Sequence, residues 1–111
     1  MLTKKCAINK VKRFAGEIAA SGIRLKKVVL FGSFAHGKTH EWSDIDVALA
    51  ADEFTRNPSK NLAYFVRINN RKPFIRISTR TYNTKDFTPR VDPFVEVIME
   101  HGIEINFKAT H

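Results

Sequence analysis

Two aspartates, Asp44 and Asp46, stand two residues apart on an apolar segment, Ser43-Asp44-Ile45-Asp46-Val47. Strand side chains alternate between faces, so the spacing puts both carboxylates on one side and sends Ile45 and Val47 into a core. Neighbouring carboxylates repel, and proteins rarely build such a pair without a cation to hold. Upstream, Lys27-Val28-Val29-Leu30-Phe31 reads as a short buried strand that runs straight into Gly32-Ser33. A Gly-Ser turn that opens a helix presents backbone N–H groups as a phosphate cradle. Turn and carboxylates together describe a site for a metal-bound nucleoside triphosphate, with Gly32 admitting the phosphates and Ser33 donating to them.

The elements that must position these residues follow from periodicity. Ile8, Val11, Ala15, Ile18 and Ala19 recur at helical spacing over 4–20, with Gly22 as the stop. The strand 27–31 comes next, then about one helical turn, a loop over 37–43, and a second strand over 44–50. Asn57-Pro58 has the chemistry of a helix start, and Leu62, Phe65, Val66 and Asn69 carry that helix to about residue 70. Pro73 breaks it, and residues 74–82 read as a third strand. Asp92-Pro93 opens a last helix with Phe94, Val97 and Ile98 on its apolar side. Gly102 ends it, and 103–107 forms a terminal strand or edge. The expected architecture is α/β (α+β), a small mixed sheet of about four strands flanked by helices, in one domain over residues 1–111.

Gly32-Ser33-x-Ala35-x-Gly37, followed after five residues by Ser43-Asp44-x-Asp46, resembles the signature of the DNA polymerase β-like nucleotidyltransferases. The short chain points to their minimal nucleotidyltransferase (MNT) branch. Weaker echoes lie in Tyr82-x-x-x-Asp86-Phe87, in Pro93-Phe94-Val95-x-Val97-Ile98 and in Gly102-Ile103-Glu104-Ile105. The resemblance implies nucleotidyl transfer from a Mg2+ (or Mn2+) complex of a triphosphate, with ATP as the expected substrate. It implies Asp44 and Asp46 as the metal ligands and catalytic pair, and Gly32, Ser33, His36, Gly37 and Ser43 as the nucleotide-binding set. For His36 a surface histidine is the competing reading, and for Ser43 a local turn hydrogen bond. A HEPN-type protein partner, which some MNT proteins modify with AMP, is a further implication, with self-association as the other option.

One departure from the family's pattern stands out. The resemblance implies a third acidic residue on the third strand, facing the aspartate pair. The positions that align with it are Arg76 and Ser78, and residues 73–85 contain no Asp or Glu. Alternation puts Phe74, Arg76, Ser78 and Arg80 on one face, where Arg76 would pair with the aspartates. Glu41, Asp86, Glu96 and Glu104 fall in other elements and read as surface or capping residues.

Composition narrows the classes. At 111 residues with 43% hydrophobic content and nine phenylalanines, the chain suits a globular fold. No apolar run approaches the ~20 residues of a membrane span. No apolar leader opens the sequence, and Cys6 is the single cysteine, so a reducing cytoplasm is the expected setting. Cys6 itself reads as a small core residue of the first helix. The net charge is +8. Nucleic acid is one partner for such a surface, and an acidic protein another. The preferred reading is a solvated helix face that also attracts nucleotide phosphates, since no run of like charge exceeds two residues. His40, His101, His111 and Cys6 show no metal-ligand spacing. Trp42 reads as a hydrophobic lid rather than a base-stacking residue. Three functions therefore stand: a working nucleotidyltransferase, a catalytically degenerate MNT-like module acting as an antitoxin-like partner, and a basic nucleic-acid-binding domain. The aspartate pair beside a phosphate loop argues against the last.

Overall fold

The computed structural model describes residues 3–36 and 44–108. Helix α1 (Lys4–Ala20) is capped by Thr3, whose side chain accepts from the Cys6 amide at 3.1 Å. Strand β1 (Leu25–Phe31) leads through Gly32 into the short α2 (Ser33–His36), and β2 (Ile45–Ala51) follows the 37–43 segment. Next come α3 (Pro58–Ala63), α4 (Val66–Asn69), β3 (Ile77–Asn83), α5 (Phe94–His101) and β4 (Ile103–Glu104). The four strands form one mixed sheet in the order β3-β2-β1-β4. β1 runs antiparallel to β2 and β4, and β2 runs parallel to β3. The expected α+β architecture with a four-stranded mixed sheet is what the chain adopts.

Each face of the sheet has its own core. On one side Val28, Leu30, Ile45, Val47, Leu49, Ala51 and Ile77 meet Val11, Phe14, Ala15 and Ile18 of α1. On the other, Val29, Ala48, Ala50 and Tyr82 meet Val95 and Ile98 of α5, with Phe31 and Phe87 against them. Asp46 stands on this second face, next to Phe31 at the edge of that core.

Four local expectations are corrected. The helix expected to run from 57 to about 70 is broken between α3 and α4. Phe65 leaves helical geometry (φ −136°, ψ 15°) and turns inward, its ring 6.0 Å from Phe14 and 5.9 Å from Phe54. Burying that ring outweighs the one or two helical bonds lost. The third strand starts at Ile77 rather than at 74, because Lys72–Phe74 form a 3-10 turn with Pro73 inside it. Phe74 is fully buried, 5.4 Å from Phe14, and so belongs to the core and not to the face of Ser78 and Arg80. On α5 the buried positions are Val95 and Ile98, while Phe94 and Val97 are exposed. Cys6 is exposed on α1, not a core residue.

Among the acids read as surface or capping groups, Asp86 is buried and takes two bonds from Arg56, at 3.1 and 3.3 Å. The Arg56 bonds hold its carboxyl below the usual carboxylate range. Glu104 pairs with Lys27 at 3.1 Å and fits the surface reading.

One buried polar residue pins the outer side of β3. Asn61 is fully buried. It accepts from the Thr55 amide at 2.7 Å and donates to Thr55 O at 2.8 Å and to Thr81 Oγ1 at 2.9 Å. Asn61→Ala strands these groups, so we expect a loss of about 1–3 kcal/mol. Urea unfolding checks this as a lower midpoint at unchanged slope. A midpoint equal to that of the parent chain would contradict it.

Candidate functional site

Register brings the chemistry together. Phe31 pairs with Asp46 across β1–β2, and Asp46 pairs with Ser78 across β2–β3. Phe31, Asp46 and Ser78 therefore form one row on the second face. The next row is Val29, Ala48 and Arg80. Ile45 and Val47 are fully buried on the opposite face, Asp46 is half-buried and Asp44 is exposed. This is the alternation expected from the sequence.

Gly32 lies against this row. Its φ is +75°, a conformation that glycine adopts at no steric cost. A Cβ built there would collide with Asp46 Oδ2 and lie 3.2 Å from Cγ and 3.3 Å from Cβ of the same residue. The glycine thus makes room for the Asp46 carboxylate. Gly32→Ala should displace Asp46 and weaken metal-nucleotide binding at least about tenfold. The left-handed backbone adds about 1–2 kcal/mol of strain. Calorimetry with Mg-ATP, alongside a thermal melt, checks this. A folded Gly32→Ala protein with unchanged affinity would refute it.

Burial pushes the Asp46 carboxyl up from its ordinary range, and the charge of Asp44 adds to the shift. A half-buried carboxylate beside another carboxylate is an arrangement that a hard divalent cation relieves. The donor set therefore fits one such ion, with the remaining positions left to phosphate oxygens and water. Arg76 reaches the outer aspartate, Nη1 to Asp44 Oδ1 at 4.0 Å, with side chains 45% and 66% exposed. At that distance and exposure it tempers charge rather than locks geometry. The Ile45 amide also donates to Arg76 O at 3.0 Å, which fixes the start of β3 beside the pair. Ser78, directly opposite Asp46, is exposed. Among the described residues no three His, Cys, Asp or Glu side chains gather as a metal site.

Of the sequence-derived set, the structure places Gly32, Ser33, Asp44 and Asp46 around one end of β1 and β2. The backbone of His36 lies in α2, but its side chain is outside the described residues, as are Gly37 and Ser43. His40, Glu41, Trp42 and His111 fall outside them too. Residues that sequence reasoning did not bring to the site are Phe31, Phe94, Tyr82 and Asp92. Arg80 donates to Tyr82 OH at 2.6 Å and to Asp92 Oδ2 at 3.0 Å, and Tyr82 OH donates to Asp92 at 2.8 Å. The Tyr82 bond, then that of Arg80, lowers the Asp92 carboxyl. Period-two alternation puts Tyr82 on the face of Ser78 and Arg80. No local pattern brings Asp92 or Phe94 there. A cleft of about 470 Å³ follows the outer edge of β3, lined by Arg56, Thr79, Arg80, Thr81, Asp86 and Asp92 among others. Neither Asp44 nor Asp46 is part of its wall.

A family model of the nucleotidyltransferase domain matches residues 8–105. The chain belongs to that family, and the extent is consistent with a minimal nucleotidyltransferase domain. A search of curated proteins finds no significant match. Family membership implies nucleotidyl transfer in general and a nucleotide substrate. No helix among the described residues is long and apolar enough to cross a membrane.

Proposed function

We propose that the chain binds a nucleoside triphosphate, ATP in the first instance, as its Mg2+ or Mn2+ complex and transfers a nucleotidyl group to an acceptor hydroxyl. Packing of Gly32 against the Asp46 carboxylate carries this reading, because it joins the Gly-Ser turn and the aspartate pair in one place. Asp44 and Asp46 would hold the divalent cation, which supplies charge neutralisation at the triphosphate and the departing pyrophosphate. The Ser33 hydroxyl and amide would donate to the terminal phosphates, with His36, Gly37 and Ser43 completing the nucleotide contacts. Arg76 adds positive charge beside Asp44. With Ser78 opposite Asp46 there is no carboxylate on β3 to take the proton of the acceptor, so the transfer is slow. Loss of a general base costs on the order of 10²–10⁴-fold.

The same pair of residues, Arg76 and Ser78, favours a second reading. In it the domain binds nucleotide without transfer and serves as the antitoxin-like member of a complex, with a HEPN-type partner or a second copy of itself. The net charge of +8 suits an acidic partner chain in the cytoplasm.

Position of label separates the two. The chain is incubated with a cell extract as acceptor pool and ATP labelled on either the α- or the γ-phosphate. Transfer places α-label, and no γ-label, on an acceptor in a reaction that needs the added chain. The binding-module reading predicts that no label from either position depends on the added chain. Incorporation of γ-label that needs the added chain would mark a phosphoryl transfer and contradict both.

A further inference from the structure

Beside the aspartate row stands a flat platform that the phosphate chemistry leaves unused. Phe94 opens α5 and is 38% exposed. Its ring meets Phe31 edge-on, with centroids 5.8 Å apart at 76°. Phe31 is the cross-strand partner of Asp46. The guanidinium of Arg80 lies 4.7 Å over the Phe94 ring. Arg80 is held there by Tyr82 and Asp92, which accept from it at 2.6 and 3.0 Å. A guanidinium anchored by two acceptors has lost the freedom that usually makes a surface arginine indifferent.

The distance from the carboxylates is set by the sheet. Arg80 is paired with Ala48, one row along β2 from Asp46, which is about 7 Å at the strand rise. That is roughly what a ribose spans between a phosphate and its base. Resting on the nucleotide reading above, we propose that the Phe94–Arg80 stack, flanked by Phe31, is the seat of the nucleobase and that it selects purines. Stacking on a ring and on a guanidinium plane scales with the π-surface offered, so the larger purine gains more than a pyrimidine.

The test is calorimetry on the whole chain with three probes, Mg-ATP, Mg-CTP and Mg-tripolyphosphate. Tripolyphosphate has no base. In the parent chain ATP should bind more tightly than CTP and than tripolyphosphate. Phe94→Ala should weaken ATP by about 5- to 100-fold, the usual worth of a base stack, and leave tripolyphosphate unchanged. Phe94→Tyr, which keeps a flat ring, should retain ATP. A thermal melt on each variant confirms the fold, and retention by Phe94→Tyr separates stacking from a general disturbance of α5. Equal loss of ATP and tripolyphosphate in Phe94→Ala, no loss of either, or equal affinity for ATP and CTP in the parent would each overturn the platform while the triphosphate site survives. Failure of the parent chain to bind any of the three would remove the nucleotide reading itself.

Discussion

Replacing Asp44 and Asp46 together by alanine should abolish metal-dependent nucleotide binding while the chain stays folded. The two carboxylates hold nothing in the core. Ile45 and Val47, fully buried between them and after them, anchor the strand. Removing Asp46 also removes a half-buried charge that its surroundings disfavour. The double variant is therefore expected to melt no lower than the parent in metal-free buffer. The functional loss is large, because the phosphates would keep their hydrogen-bond donors but lose the divalent cation. A divalent ion at a triphosphate is worth several kcal/mol of charge stabilisation, so affinity should fall by at least about 10³-fold. Calorimetry and a thermal melt on the same preparation read both halves. A double variant that binds Mg-ATP as the parent does would take the aspartates out of the site.

The second large effect is a gain. Ser78 is the cross-strand partner of Asp46 and shares its face. Ser78→Asp puts a carboxylate where it can face the pair, and nothing in the core has to move, since Ser78 is exposed. We expect tighter Mg2+–nucleotide binding and a transfer rate raised on the order of 10²-fold, the lower end of what a general base supplies. Arg76→Asp is the weaker version of the same change. It removes a positive charge 4.0 Å from Asp44, but Arg76 precedes β3 and is not the strand partner of Asp46. Transfer of α-label by each variant, compared with the parent, is the readout. An unchanged or lower rate in a folded Ser78→Asp chain would show that a missing β3 carboxylate is not what limits the reaction.

The parts of this molecule that were legible beforehand are those in which local pattern and tertiary role coincide. From Lys27 to Val47 the apolar runs, the Gly-Ser turn and the Asp-x-Asp alternation each specify one backbone state and one facing. The matching face of β3 was legible too, since Ser78 and Arg80 alternate with the buried or half-buried Ile77 and Thr79. What could not be read was which of several apolar residues the core would take. Phe65 breaks a helix because two other phenylalanines wait for it. Phe74 leaves the strand pattern for the same aromatic cluster. On α5 the local sequence offers Phe94, Val95, Val97 and Ile98 in succession. Only the position of the helix over Val29 and Ala48 selects Val95 and Ile98 for burial. The platform at Phe94 and the network of Arg80, Tyr82 and Asp92 were hidden for the same reason. They join residues from β1, β3, the loop before α5 and α5 itself, and no spacing within one segment records such a meeting.

If the Asp44–Asp46 pair beside Gly32 holds a metal-bound nucleotide, a single titration reveals it. The parent chain is titrated with ATP in the presence of Mg2+, then of Mn2+, then of a chelator, and heat is followed in each case. Binding should be saturable with either metal, and should be lost with the chelator and in the Asp44→Ala/Asp46→Ala chain. Absence of binding with both metals, or binding that survives the chelator and the double substitution alike, would contradict it.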